Sequence, residues 1–505
     1  MPWQSLPIDD LPAWALLNNV SFTNVKVAQT EDKGYGVVTT RHLVQANADE
    51  ATPDGATALL TVPHDLVLNQ QAVHEYAKED KNFRQLLEAV GHRSARADVL
   101  LFLLVQSALA SRSSYTPVGV SNPWAQYLRF LPETVLVPTL WNEDERLLLR
   151  GTSLEPAIDA KLSALDAEFG LVREKSCDLP CWNELLWQQD DGQLAEGAEI
   201  GAFSSPTPSF TDWIRLDALY RSRCLELPGS GEAMVPCIDM INHSSVSPSA
   251  YYEENAQDEV VLLLRPGVSL PAGAEVTISY GDVKPAAEML FNYGFIDPQS
   301  ASERLVLPLR PFSDDPLAKA KLVAFGRAPT IHVARELIDN DGNSTVRWDS
   351  AFAYLMCVNE EDGLEFRILQ QTDGTQNLCV FWQGIDVTDR TTDFQTLIQT
   401  HALHAVLRLR VVTVVHDRLQ EQLDRMRSCA VPDAPLPSQR KECYEASILL
   451  RRIEGRLLED AIKTLEEERN SLLQDKNVVA YLGLTEPAKS DLVDQEAANE
   501  EDDFS

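Results

Sequence analysis

The sequence predicts an α+β fold: a β-domain split by a helical insertion, followed by a mostly α-helical C-terminal region. Three observations carry this. In Glu275-Val276-Thr277-Ile278-Ser279-Tyr280 the apolar residues alternate strictly, which places Val276, Ile278 and Tyr280 on one face of a strand. Val99–Val105 is apolar all round, the mark of a buried helix. Leu407, Val411, Val415, Leu419, Leu423 and Met426 recur at helical spacing, as do Leu450, Ile453, Leu457, Leu458, Ile462 and Leu465.

From the N-terminus, Leu11-Pro12-Ala13-Trp14 opens a short helix and Val25-Lys26-Val27 reads as a strand. Glu31-Asp32-Lys33-Gly34-Tyr35-Gly36-Val37-Val38 follows, and Ala58-Leu59-Leu60-Thr61-Val62-Pro63 is a further strand. A Gly-x-Gly between strands is, taken alone, a tight hairpin. Residues 66–210 read as helical and inserted. Within them Pro123–Pro132 is an aromatic packing segment, and Asp190–Pro208 is a loop rich in Gly, Ser, Asp and Pro. Trp213–Arg223 returns as a helix, and Met234–His243 is an apolar run that ends in Asn242-His243.

Pro271-Ala272-Gly273 is a turn signal before the Tyr280 strand. Beyond it, Asp282 is a candidate N-cap, Pro285 suits the first helical turn and Gly294 suits a left-handed C′ position. That spacing predicts a nine-residue helix carrying Tyr293 at its end. The character shifts after Asp297-Pro298. Residues 300–485 are expected to form a helical domain, with the three prolines of Ser428–Ser438 marking a loop between its long helices. Residues 491–505 carry seven acids and no base, so an acidic disordered tail is expected over 486–505.

The chain has 505 residues, 44% of them hydrophobic, enough for two or three domains with sizeable cores. Its net charge is −34, which argues against nucleic-acid binding; it is compatible with a basic protein partner, though solubility alone explains it more often. The eight cysteines are scattered, with Cys177-x3-Cys181 the one close pair, so a metal cluster is not expected and a reducing compartment is. The seven apolar residues of Val99–Val105 fall far short of the roughly 20 that span a bilayer, and no signal peptide is visible. The expectation is a soluble protein of the cytoplasm, the nucleus or both, without membrane or nucleic-acid partners.

Asn242-His243 after an apolar run, the strand ending at Tyr280-Gly281 and the helix ending at Tyr293-Gly294-Phe295 together resemble the SET-domain methyltransferases. The subclass they resemble is the one typified by the Rubisco large-subunit lysine methyltransferase. The resemblance implies a SET domain over 20–298 with 66–210 as its insertion, and a C-terminal domain similar to that subclass's substrate-binding domain. It implies S-adenosylmethionine as methyl donor, held by Lys33, Gly34, Tyr35, Gly36, Arg223, Asp239, Asn242, His243 and Phe295. It makes Tyr280 the catalytic tyrosine, Tyr293 a second tyrosine of the channel, and Leu225, Ile238 and Tyr252 walls of the acceptor pocket. Read without the family, Arg223 is a charge at a helix C-terminus and Tyr252 a packing residue. Phe295 either packs on adenine or fills core. Histone-type SET enzymes add zinc-binding cysteine clusters that this sequence lacks, so the partner expected is a non-histone protein.

Methyl transfer from a sulfonium is an in-line displacement that needs no metal, and alignment alone supplies up to roughly 7–11 kcal/mol of it. The acceptor amine must be neutral, against a free pKa near 10.4. A dry channel beside a positive sulfonium disfavours the ammonium. Some members of the subclass methylate histidine instead, and a second imidazole nitrogen needs a polar anchor. Leu225 and Ile238 are apolar and suit a lysine stem, so lysine is expected. The rival expectations are histidine methylation on the same fold, a catalytically dead SET module, and a helical adaptor.

Overall fold

The strand Val25–Thr30 turns back on itself as Gly34–Thr39, with Val25 opposite Thr39 and Thr30 opposite Gly34. Glu275–Ile278 joins the second of these strands antiparallel, Glu275 opposite Val38. Asn242–His243 then pairs parallel with that strand, Thr277 opposite Asn242 and Ile278 opposite His243. Three stretches far apart in sequence therefore meet in one four-stranded sheet. A second sheet orders Ser21–Phe22, Ala58–Val62, Val260–Leu264 and Ala250–Glu254 side by side. All five residues of Val260–Leu264 are buried, as expected of a strand covered on both faces.

The computed structural model describes residues 5–30, 33–45, 57–110, 122–188, 207–281, 283–299, 303–337, 344–370 and 376–483. By proximity of Cα atoms the chain divides into two compact units. The first holds Met1–Val306, Val333–Thr345 and Gln422–Leu457; the second holds Leu307–His332, Val346–Glu421 and Leu458–Ser505.

In the first unit the insertion is helical. Asn69 and Asp80 cap the helices Gln70–Glu79 and Lys81–Val90 by accepting backbone N–H bonds. Ala95–Ala110 buries every residue from Asp98 to Ala108. The helix Phe210–Arg223 starts from a capping box between Ser209 and Asp212. Its Asp217 is fully buried and binds Arg96, Lys161 and Arg221 at 2.7–2.8 Å, tying three helices together. Burial pushes the Asp217 carboxyl up, but Arg221 and Lys161 outweigh it and hold the group below its ordinary value. Pro123–Tyr127 and Leu128–Phe130 form the aromatic segment, with the Tyr127 ring 4.9 Å from that of Trp14. Glu145, also fully buried, is gripped by Arg440 through two guanidinium nitrogens. Despite burial, that bidentate contact holds its carboxyl down at about 2.

Two expectations need correction. The helix after Tyr280 has eight residues, Ala286–Tyr293, with Pro285 as its N-cap in an extended conformation. A proline disfavours the helical conformation in the residue before it, so the helix cannot start earlier. Asp282 lies outside the described residues, as do most of Asp190–Pro208 and the acidic tail. Gly294 is left-handed at φ +83°, as its spacing predicts. The C-terminal half is helical over His404–Ser428, Lys441–Leu472 and Lys476–Tyr481, but strands precede these helices. They include Arg304–Pro308, Thr330–Leu337, Ser344–Asp349, and the hairpin Leu364–Gln370 with Gln376–Trp382. The first is a short apolar run, Leu305-Val306-Leu307, that buries only Leu305 and Leu307, a signal weaker than the long stripes downstream. Among the described residues no helix is long and apolar enough to cross a membrane.

Candidate functional site

The parallel pairing of Asn242 with Thr277 directs the Asn242 amide into the hairpin beside it. Its Nδ2 donates to Glu275 Oε1 at 2.7 Å and approaches the Tyr35 carbonyl at 3.4 Å. Lys33 Nζ binds the other oxygen of Glu275 at 3.2 Å. A Cβ on Gly36 would stand 2.7 Å from Asn242 Nδ2 and 2.8 Å from Thr30 Cγ2. So Gly36 is glycine because the asparagine occupies that space. Gly34 has room for a Cβ but sits at φ +79°, where a side chain is strained.

Tyr280 follows the end of the Glu275–Ile278 strand. Its N–H donates to His243 Nδ1 at 3.0 Å and its hydroxyl donates to the Ile241 carbonyl at 2.7 Å. With Nδ1 accepting, the neutral imidazole carries its proton on Nε2, which stands 3.6 Å from Asp297 Oδ2. Four rings gather here: Tyr280 lies 4.7 Å from Tyr293, 5.1 Å from His243 and 6.4 Å from Phe295. Burial raises the hydroxyl pKa of both tyrosines above the ordinary value. Both are therefore neutral near pH 7, able to hydrogen-bond but not to act as ready bases. Phe295 is 37% exposed, which rules out a core-filling role. Gly294 is required twice over, for its φ and because a Cβ would lie 2.7 Å from the Leu136 backbone.

Arg223 ends its helix and aims inward. Its Nη1 donates to the Asp239 carbonyl at 2.9 Å and stands 3.5 Å from the Asp239 carboxylate. The other carboxylate oxygen accepts the Tyr127 hydroxyl, whose own oxygen accepts the Cys237 N–H at 2.7 Å. That last bond holds Cys237 at φ +70°, in the left-handed region. Burial pushes the Asp239 carboxyl up, with Arg223 and Tyr127 opposing it. Among the described residues, Arg223 Nε and Asp239 Oδ2 are buried without a hydrogen-bond partner.

Two cavities meet at these residues. One, about 720 Å³, is lined by Lys33, Gly34, Tyr35, Asn242, His243 and Phe295. The other, about 430 Å³, is lined by Leu225, Ile238, Ile241, Tyr252, Glu226 and Glu232. Ser222, Arg223, Asp239, Tyr280 and Tyr293 line both. Every residue assigned from the sequence is thus brought to one cavity or to their shared wall, except Gly36, which packs behind the first. Tyr127, Glu275 and Asp297 were missed. Tyr127 lay within the aromatic segment, and nothing in the sequence pairs it with Asp239 across 112 positions.

No family model matches the chain. SET domain-containing protein 8 of Schizosaccharomyces pombe is 26% identical over 436 residues, 84% of this chain and 89% of that protein. The Rubisco large-subunit N-methyltransferase of Pisum sativum is 27% identical over 217 residues, 40% of each. The actin-histidine N-methyltransferase of Gallus gallus is 22% identical over 361 residues, 70% of this chain and 53% of that one. Among solved structures, the SET domain of LSMT bound to lysine and AdoHcy superposes with a TM-score of 0.63 at 18% identity, over 96% of this chain and 98% of that one. Joined to the strand crossing and the paired cavities, these likenesses show that the chain has the SET-domain fold and is similar in sequence to SET-domain protein methyltransferases, the Rubisco large-subunit enzyme among them.

Proposed function

We propose that this protein transfers the methyl group of S-adenosylmethionine to the ε-amine of a lysine in a non-histone protein. The observation that carries the proposal is Tyr280, fixed by the Ile241 carbonyl where a 720 Å³ and a 430 Å³ cavity meet. The larger falls in the range of small-molecule sites, roughly 300–1,000 Å³. The donor fits its residues. The buried Arg223 Nε, without a partner among the described residues, suits the carboxylate of an amino-acid moiety, and exposed Phe295 offers a ring face to a base. S-adenosylmethionine supplies an electrophilic methyl on a sulfonium.

The chain's own residues then do three things. Asn242, His243 and the backbone at Gly34 hold the larger cavity's floor in shape. Leu225 and Ile238, 8% and 0% exposed, give the smaller cavity an apolar flank for a butyl stem. Glu226 and Glu232 line that same cavity and draw an ammonium toward it. Tyr280 and Tyr293 wall the junction, exclude water and orient the amine through a hydroxyl. Burial there disfavours the ammonium, which frees the nitrogen lone pair.

Histidine methylation is the second reading. The chicken relative acts on actin histidine, and Asn292 lines the smaller cavity with an amide able to anchor an imidazole. Titration calorimetry with S-adenosylmethionine tests the shared premise: one molecule should bind per chain, more weakly in Arg223→Ala. No binding by the wild type would leave a SET-fold module without this activity.

A further inference from the structure

We propose that the helical insertion carries a zinc-binding site formed by His74, His92 and Asp98. His74 lies on the helix Gln70–Glu79, His92 in the turn that Gly91 opens at φ +79°, and Asp98 in the first turn of Ala95–Ala110. Their ligand atoms all fall within 4.8 Å of one another. His74 Nε2 and His92 Nδ1 each stand 3.3 Å from the same oxygen, Asp98 Oδ2. That is long for a charge-assisted hydrogen bond, which runs about 2.7–2.9 Å. It matches instead the edge between two ligands of a tetrahedral zinc, about 3.4 Å for bonds of about 2.1 Å.

The surroundings are those of a metal site. Asp98 is 2% exposed, and among the described residues no lysine or arginine pairs with it. A buried carboxylate is costly unless it is paired or coordinates a metal. Gln70, one turn before His74 on the same helix face, donates to Asp98 Oδ2 at 2.9 Å. That bond orients the carboxylate as outer-shell partners do around bound metals, and leaves the oxygen a second lone pair. The two imidazoles stack edge to face at 4.9 Å and are half-exposed, which leaves the solvent side of the cluster open to an ion. Two imidazoles and one carboxylate suit zinc, with water from the solvent side as fourth ligand.

The site lies outside the methyl-transfer chemistry, and its effect is mechanical. It would clip the helix Gln70–Glu79 to Ala95–Ala110. From the latter, Arg96 reaches Asp217 of the helix that ends in Arg223.

The test uses the whole chain after treatment with EDTA. Titration with zinc chloride should show one ion bound per chain and a rise in Tm. The double variant His74→Ala/His92→Ala should keep the metal-free Tm and lose both responses. Because eight thiols are competing ligands, cobalt should be added in parallel. The wild type should give a ligand-field spectrum without a thiolate-to-cobalt charge-transfer band. No zinc binding by the wild type, equal binding by the double variant, or a thiolate band would each overturn the proposal. If the double variant does not fold, Gln70→Ala, which removes only the orienting bond, must weaken zinc binding.

Discussion

Gly36 and Asn242 occupy one space: a Cβ on the first would stand 2.7 Å from the amide nitrogen of the second. Two motifs about 200 residues apart are thus a single packing unit at the strand crossing. Gly36→Ala should destabilise the fold by roughly 1–3 kcal/mol through overpacking. Asn242→Ala should cost roughly 1–3 kcal/mol by stranding Glu275, and should weaken S-adenosylmethionine binding. The double variant should be less destabilised than the sum, since removing the amide makes room for the methyl. Denaturant unfolding of all four proteins measures this, and strict additivity would contradict the shared space.

Tyr280→Phe removes the hydroxyl that binds the Ile241 carbonyl and faces the smaller cavity. The ring contacts and the backbone bond to His243 remain. Turnover should fall on the order of 100-fold from lost alignment, with Tm and donor affinity near wild type. Near-wild-type turnover would move the role to Tyr293.

Glu454 gives the stability a pH signature. Burial raises its carboxyl from the ordinary 4.5 to about 7, against the Ser153 hydrogen bonds and Arg451, which lower it. The folded chain keeps this proton to higher pH than the unfolded chain does. Its contribution is therefore fully present below about 4.5 and is lost as pH rises to about 7. The slope is at most about 1.4 kcal/mol per pH unit. In Glu454→Gln this component should vanish and stability at pH 8 should rise. Parallel stability curves for the two proteins between pH 5 and 7 would contradict it.

Leu225→Asn places an amide in the apolar flank of the smaller cavity. Lysine transfer should drop several-fold, and histidine should become admissible. Mass spectrometry on a peptide pair differing only in Lys or His reads both effects; unchanged lysine transfer would remove Leu225 from the acceptor wall.

The site was legible where its chemistry is local. Asn242-His243, Tyr280 and Tyr293-Gly294-Phe295 each sit at the end of a short element whose period or cap shows in the residues. Its supports were not. Tyr127 reaches Asp239 from the insertion, and Asp297 reaches His243 across 54 positions, through folding that no local period reports. The C-terminal strands were missed for a different reason. Each is short, and the alternation of Leu364, Phe366 and Ile368 spans a few residues, whereas the downstream helices repeat their stripe for many turns. His74, His92 and Asp98 carry no ligand spacing in sequence, because a turn and two helices bring them together.

The most direct measurement is transfer of an isotopically labelled methyl group from S-adenosylmethionine into a lysate of the source cell, with the modified residue mapped by mass spectrometry. Label on the ε-nitrogen of lysine in a non-histone protein, lost with Tyr280→Phe, is the result expected. Label confined to 1- or 3-methylhistidine would contradict the lysine assignment, and absence of any protein label would contradict protein methyl transfer itself.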